Sequence, residues 1–286
     1  MRPLKLFFSA FLVLTGHYLA FTQIQSHGTI VVAYFSDDEI AMAADSRSMP
    51  AGTGLPIPND KQCKLIALGE HMIFASVGAT GWAPQFRPPF RDFFLPPFDH
   101  TEEAKQAFHS AGDSVLLTAR AWKENLVSRW HWINIFDHAA LQDAVSFEGG
   151  GGGISQGIFA GLDQGQLRLV MVNILFDMQS GDVSGNVSQI WRCTQNICGF
   201  GLPDVTVEHD TGATQRARED NERWSEKKKT ISPEQIGPAE AVRMVELTIA
   251  ESDSAEVGGV IDSIKLDKSG TMQWLRWQEN CPKQSD

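Results

Sequence analysis

Positive charge is what this chain has least of. Its 24 lysines and arginines face 35 aspartates and glutamates, for a formal net charge of −11. Without a basic field to attract phosphates, the balance argues against nucleic acid as a partner. Cysteine is sparse too, and the four present (Cys63, Cys193, Cys198 and Cys281) do not fall in a zinc-ligand spacing. The glycine run at residues 149–153 has no GK[ST] after it, so it is not a phosphate cradle. The apolar run at residues 6–14 is too short to span a membrane comfortably. None of these patterns calls for a cofactor or a metal.

A length of 286 residues allows one large domain or two small ones, and 42% hydrophobic residues suffice for a globular core. The N-terminus stands apart from that core. Arg2 and Lys5 precede the apolar run, and polar residues 22–27 follow it, the order of a secretory signal peptide. The alternative is an uncleaved anchor. Two cleavage points fit a small-x-small rule. One follows Ala20-Phe21-Thr22; the other follows Ser26-His27-Gly28 and would leave Thr29 as the first residue. Export makes disulfides an option. Cys193 and Cys198 are near enough to close a small loop, which leaves Cys63 with Cys281; buried thiols are the alternative reading.

Residues 28–61, GTIVVAYFSDDEIAMAADSRSMPAGTGLPIPNDK, carry the densest signal. Strand patterns at residues 29–35 and 40–44 flank a polar turn. A three-residue loop would set Phe35 against Glu39 and Thr29 against Asp45. A four-residue loop would shift the pairing by one and leave Asp45 diagonal to Thr29. Either way a hydroxyl and a carboxylate share one end of a hairpin. Lys61 follows a Gly/Pro-rich loop and begins the next strand pattern, from which it can return to that end.

The order Gly28-Thr29, then Ala44-Asp45-Ser46-Arg47, then Asp60-Lys61 resembles the opening of a proteasome β-type subunit, a family of N-terminal nucleophile hydrolases. The separations match the family's without a gap. In that family the chain is cut after the glycine and the freed threonine becomes the nucleophile. The resemblance implies a four-layer αββα sandwich, where the element order alone says only α+β. It implies Thr29 as nucleophile, with Asp45 and Lys61 supporting it. Gly78, in Gly78-Ala79-Thr80-Gly81, would donate a backbone N–H to the oxyanion; the plainer reading is that it ends a strand. Asp253 matches an acidic residue that supports the site, with Ser254 a weaker match.

Three departures from the family stand out. Residues 82–98 hold five prolines among aromatics, where the family runs into a helix, and read as an insertion. Phe200 in Gly199-Phe200-Gly201 replaces a serine, and Val257 stands where another serine is expected. The organisation expected is a signal peptide or propeptide over residues 1–28 and one hydrolase-like domain over 29–286.

Elsewhere, Asp99 with Glu102 looks like a capping box opening one long amphipathic helix to about residue 126. Trp130-His131-Trp132 reads as a core aromatic cluster. Residues 157–160 and 167–174 read as strands around the turn Asp163-Gln164-Gly165. Residues 189–193 read as another strand, and 204–230 as a solvated helix or loop. A second amphipathic helix runs over 238–250, and closing strands cover 260–266 and 271–277.

The expected activity is that of a threonine-type peptidase. An amidase or acylase of the same superfamily, or a catalytically silent relative that binds or scaffolds, are the alternatives. The partners expected are a peptide or amide substrate and, since proteasome relatives form rings, further copies of the chain. The protein is expected outside the cytosol, secreted or periplasmic, with no stable membrane insertion once the signal is removed.

Overall fold

The turn at Ser36 sets the frame. Its hydroxyl accepts hydrogen bonds from the backbone N–H groups of Asp38 and Glu39, and its own N–H donates to Glu39 O. The loop therefore closes with four residues, pairing Phe35 with Ile40 and Val31 with Ala44. This is the shifted of the two pairings the sequence allows. A computed structural model provides the geometry; it describes residues 22–24, 30–49, 59–84, 96–147, 152–201, 215–251, 257–279 and 281.

In chain order the strands are β1 (Thr22–Ile24), β2 (Val31–Phe35), β3 (Glu39–Asp45), β4 (Leu65–Leu68), β5 (Met72–Gly78), β6 (Gly81–Pro84) and β7 (Phe98–Asp99). Helices α1 (His100–Ala111), α2 (Val115–Phe136) and α3 (His138–Phe147) follow. Then come β8 (Gly153–Asp163), β9 (Gln166–Phe176), β10 (Val183–Ile190), β11 (Ile197–Phe200), α4 (Gln215–Lys228), α5 (Pro233–Glu251), β12 (Ile261–Asp267) and β13 (Met272–Arg276). The class is mixed α+β. Two five-stranded sheets run in the orders β11-β2-β3-β12-β13 and β10-β9-β8-β5-β4, and a small third sheet is β1-β6-β7. All strand pairs are antiparallel.

Why both large sheets read as nearly continuous apolar runs is explained by what covers them. Alternate residues of a strand face opposite sides. On β2, Val31 and Ala33 join Met42, Ala44 and Ile264 in a buried cluster with Leu65, Ala67, Ile73, Ala75 and Ile158 of the second sheet. Ile30 and Val32 point the other way and pack with Ile261 and with Ala241, Met244 and Val245 of α5. The second sheet's other face, with Phe74, Phe159 and Val170, packs on Ala104 and Ala107 of α1, Trp122, Leu126 and Trp130 of α2, and Leu141 of α3.

The helical readings need correction. Asp99 is the N-cap, as its spacing to Glu102 predicts, and its carboxylate accepts from the N–H groups of Thr101 and Glu102. The single long helix is two. Gly112, at φ 71°, ends α1 with its N–H on Phe108 O, and Ser114 caps α2. A residue with a Cβ is strained at that φ, so Gly112 is a stop that periodicity alone does not register. Of the aromatic triplet only Trp130 is core; His131 and Trp132 are exposed on α2. Helix α5 starts at Pro233, five residues ahead of Pro238. In the 204–230 stretch, α4 buries Trp224 against Glu240 of α5. Of the strand expected at 189–193 only residues 189–190 are strand, as the end of β10 (Val183–Ile190); residues 191–193 are not. Residues 1–21 and most of 82–98 lie outside the described residues.

His100, at the start of α1, is fully buried between Phe98 and Trp122, and among the described residues neither ring nitrogen has a hydrogen-bond partner. Burial pulls its pKa down from 6.5 to about 3. Because the folded value lies below the unfolded one, the unfolded chain takes up this proton first as pH falls. The stability His100 allows is complete above pH 6.5 and is lost progressively toward pH 3, by about 1.4 kcal/mol per pH unit. Denaturant titrations at pH 7 and pH 5 should show a stability loss about 2 kcal/mol smaller in His100→Phe than in the wild type. An equal loss in both proteins would mean that His100 is not buried in its neutral form.

Candidate active site

The four-residue loop brings Asp45 opposite Ile30, one position beyond the last β2–β3 pair. Asp45 N–H donates to Ile30 O at 3.3 Å, and Ile30 N–H donates to Asp45 Oδ1 at 3.0 Å. The Asp45 side chain is 1% exposed. Its Oδ1 also accepts from Lys64 Nζ at 3.1 Å, and its Oδ2 accepts from Gly258 N–H at 3.0 Å. Three donors from three distant parts of the chain thus surround one buried carboxylate. Lys64 is 2% exposed and directly precedes β4; Ser76 of β5 donates its N–H to Lys64 O at 3.3 Å.

Burial raises the Asp45 pKa, opposed by the Lys64 charge and by the Gly258 and Ile30 N–H groups. Burial likewise lowers that of Lys64, opposed by the Asp45 charge and its hydrogen bond. Both shifts share one cause: desolvation disfavours the charged form of each, and the pairing offsets it. Lys64 therefore releases its proton more readily than an exposed lysine.

A second ring of contacts holds this pair. Arg47 donates to Asp60 through Nε at 2.6 Å and Nη2 at 3.0 Å, and through Nη1 to Val257 O at 3.3 Å. The guanidinium's hydrogen bonds hold the Asp60 carboxyl below the usual range. Ser46 Oγ donates to Asp60 O at 2.7 Å and accepts from Val260 N–H at 2.8 Å. The chain passing between these groups must be glycine. A Cβ on Gly258 would lie 2.7 Å from the Arg47 guanidinium carbon, and one on Gly259, at φ 78°, would lie 2.5 Å from Ser46 Oγ.

The residues expected from the sequence fall as follows. Asp45 is at the centre. Lys61 is not beside it: Lys61 is exposed in the turn after Asn59, its N–H on Asn59 Oδ1. The cation that reaches Asp45 is Lys64. The signal for it was available in Cys63-Lys64-Leu65, a lysine set directly against the apolar run of β4, where a charge must either stay at the strand mouth or find a partner. Gly78 ends β5 at φ 80°, opposite Ser155 and two residues beyond the Ser76 that binds Lys64 O. Phe200 pairs with Val31 in the β11–β2 ladder and packs between the sheets. Val257 is buried against α5. Thr29, Asp253 and Ser254 lie outside the described residues. Both cysteine pairs are disulfides, Cys63–Cys281 and Cys193–Cys198.

Among the described residues no three His, Cys, Asp or Glu side chains group to hold a metal ion, and no helix is long and apolar enough to cross a membrane. No known family model matches this chain, and no curated protein matches it either.

Two stability measurements test this geometry. Lys64→Met leaves Asp45 buried without its cation and should cost about 3–5 kcal/mol. Lys61→Met, on the exposed turn, should stay within about 0.5 kcal/mol. Equally small losses in urea titrations would show that Asp45 does not rely on Lys64. Gly259→Ala should lower stability by about 1–3 kcal/mol, through its backbone conformation and the contact with Ser46; a neutral result would mean that the 257–260 turn is free to relax.

Proposed function

We propose that this protein is an N-terminal nucleophile hydrolase of the proteasome β-subunit type, in which Thr29, freed by a cut after Gly28, hydrolyses peptide or related amide bonds. The observation that carries the reading is the buried Asp45–Lys64 pair. Its carboxylate accepts both the Lys64 ammonium and the N–H of Ile30, the residue that follows Thr29 in the sequence. The arrangement of buried clusters supports an αββα sandwich, with one cluster between the large sheets and one beneath helices on each outer face. The two disulfides support export to an oxidising compartment.

A threonine hydroxyl needs an adjacent base, and an internal threonine has none of its own. The α-amine of an N-terminal threonine has an ordinary pKa of about 7.7–8.0, close to working pH. Lys64, in the role that the resemblance gives Lys61, repels a proton on that amine and favours its basic form. Asp45 orients Lys64. The amine takes the Oγ proton as Oγ bonds to the substrate carbonyl carbon, and the Gly78 N–H supports the oxyanion. The C–N bond then breaks and the proton passes to the leaving amine. The same amine then takes a proton from water as the hydroxide oxygen bonds to the ester carbon, and it returns that proton to Oγ as the C–Oγ bond breaks, releasing the carboxylic acid. Asp253 keeps the supporting role that the resemblance implies.

One observation favours a second reading, a silent relative that binds without turnover. Phe200 fills the space between the sheets opposite Val31, where the family carries a serine.

Expression in an exporting host, followed by mass and N-terminal sequencing, should give a chain that starts at Thr29. That chain should cleave peptide or small-amide probes, and the choice between these two probe sets identifies a peptidase or an acylase. Thr29→Ala should fold and lose turnover, and Lys64→Met should lower kcat by about 10²–10⁴-fold. A folded chain that begins at Thr29 and cleaves neither probe set would establish the silent reading instead.

A further inference from the structure

The end of the chain returns to the site by a route that the chemistry above does not use. Cys281 is 3% exposed and forms a disulfide with Cys63, 218 residues earlier and covalently next to Lys64. Three residues before it, Gln278 is 7% exposed and doubly bonded to Asp262: its N–H donates to Oδ1 at 2.9 Å and its Nε2 to Oδ2 at 2.8 Å. Asp262 follows Ile261, the residue that pairs with Asp45 across the β12–β3 ladder. The two anchors are braced against each other. Cys281 N–H donates to Gln278 O at 3.0 Å, and Trp277 Nε1 donates to Cys281 O at 2.8 Å.

These anchors lie on different sheets. Asp262 belongs to the sheet that carries Asp45, and Cys63 leads into the sheet whose edge strand follows Lys64. The Asp45–Lys64 ion pair spans the same gap. We propose that the C-terminal segment carrying Gln278 and Cys281 is a cross-sheet strap that positions Lys64 against Asp45, with Cys63, Cys281, Asp262 and Gln278 acting as positioning residues. This rests on the reading above only in giving Lys64 a catalytic task; the positioning itself is independent of turnover.

The physical need is specific. A lysine has four freely rotating side-chain bonds and gains most by extending toward water. To keep its ammonium at a buried carboxylate, its backbone must be fixed on both sides. Downstream, pairing of Leu65 with Ala75 in the β4–β5 ladder does this. Upstream, Gln62 N–H donates to Ser46 O at 3.1 Å, and the disulfide adds a second tie, from Cys63 to a segment already bound to the Asp45 sheet. The Cys193–Cys198 bridge, only five residues in span, closes a local loop beside β11 and makes no such connection.

The test uses the full mature protein labelled with ¹³C at lysine Cε. Three variants are compared with the wild type: Cys63→Ala/Cys281→Ala, Gln278→Ala, and the control Cys193→Ala/Cys198→Ala. In wild type, Lys64 should give a resonance distinct from that of exposed Lys61. In both strap variants it should move toward the Lys61 position, while the control leaves it in place. With a cleavable probe, the strap variants should lose about 10–100-fold in kcat with KM little changed. A Lys64 resonance identical to wild type in folded strap variants overturns the proposal. If the double cysteine variant does not fold, Gln278→Ala, which keeps the disulfide, decides by the same criterion. Absence of turnover in wild type would overturn the hydrolase reading alone, because the resonance still reports whether the strap holds Lys64.

Discussion

A single buried carboxylate constrains this architecture. Asp45 lies out of reach of water, and a charge there persists only if other groups replace its hydration. Those groups are the Ile30 N–H, the Lys64 ammonium and the Gly258 N–H. Each comes from a different element, so satisfying one side chain fixes three relations together: the register of the first hairpin, the approach of the second sheet, and the path of the turn into β12. Apolar residues of similar volume would often fill such a site with equal or greater stability.

The surrounding contacts read as consequences of that constraint. Arg47 and Asp60 pair at the rim, where the guanidinium also reaches Val257 O. Ser46 and two consecutive glycines let the 257–260 backbone come close enough for Gly258 to donate. The helices stand on the outer faces of the sheets, away from the pair, and bury the apolar side of each.

Much of this was legible in the residues. The hairpin, the cap at Asp99, the tight turn at Gln164-Gly165 and the two cysteine pairings depend on local chemistry or on elimination among few partners. Asp45 was legible because a carboxylate closing an apolar strand is unusual. Its cation was not. The family's spacing points to Lys61, but the Gly/Pro-rich sequence between Asp45 and Lys61 sets no strand register, so spacing alone has no fixed spatial meaning there. Lys64, adjacent to β4, is positioned by the strand itself. The split of the first long helix was missed for a related reason. Apolar periodicity continues across Gly112, while the backbone at that glycine does not. Phe200 kept its place in the chain but not the chemistry expected there, since an aromatic ring at that register belongs to the core.

The contacts that complete the site join residues at opposite ends of the sequence: Asp45 with Gly258, Arg47 with Val257, and Cys63 with Cys281. Such long loops are entropically costly to close and form late in folding. Synthesis proceeds from the N-terminus, so the hairpin bearing Asp45 exists well before the segment that supplies its last donor. Until the final strands arrive, Asp45 lacks both its Gly258 donor and the β12 neighbour of its strand. The order of folding therefore acts as a timer, and the Asp45 site is assembled only after nearly the whole chain has been made.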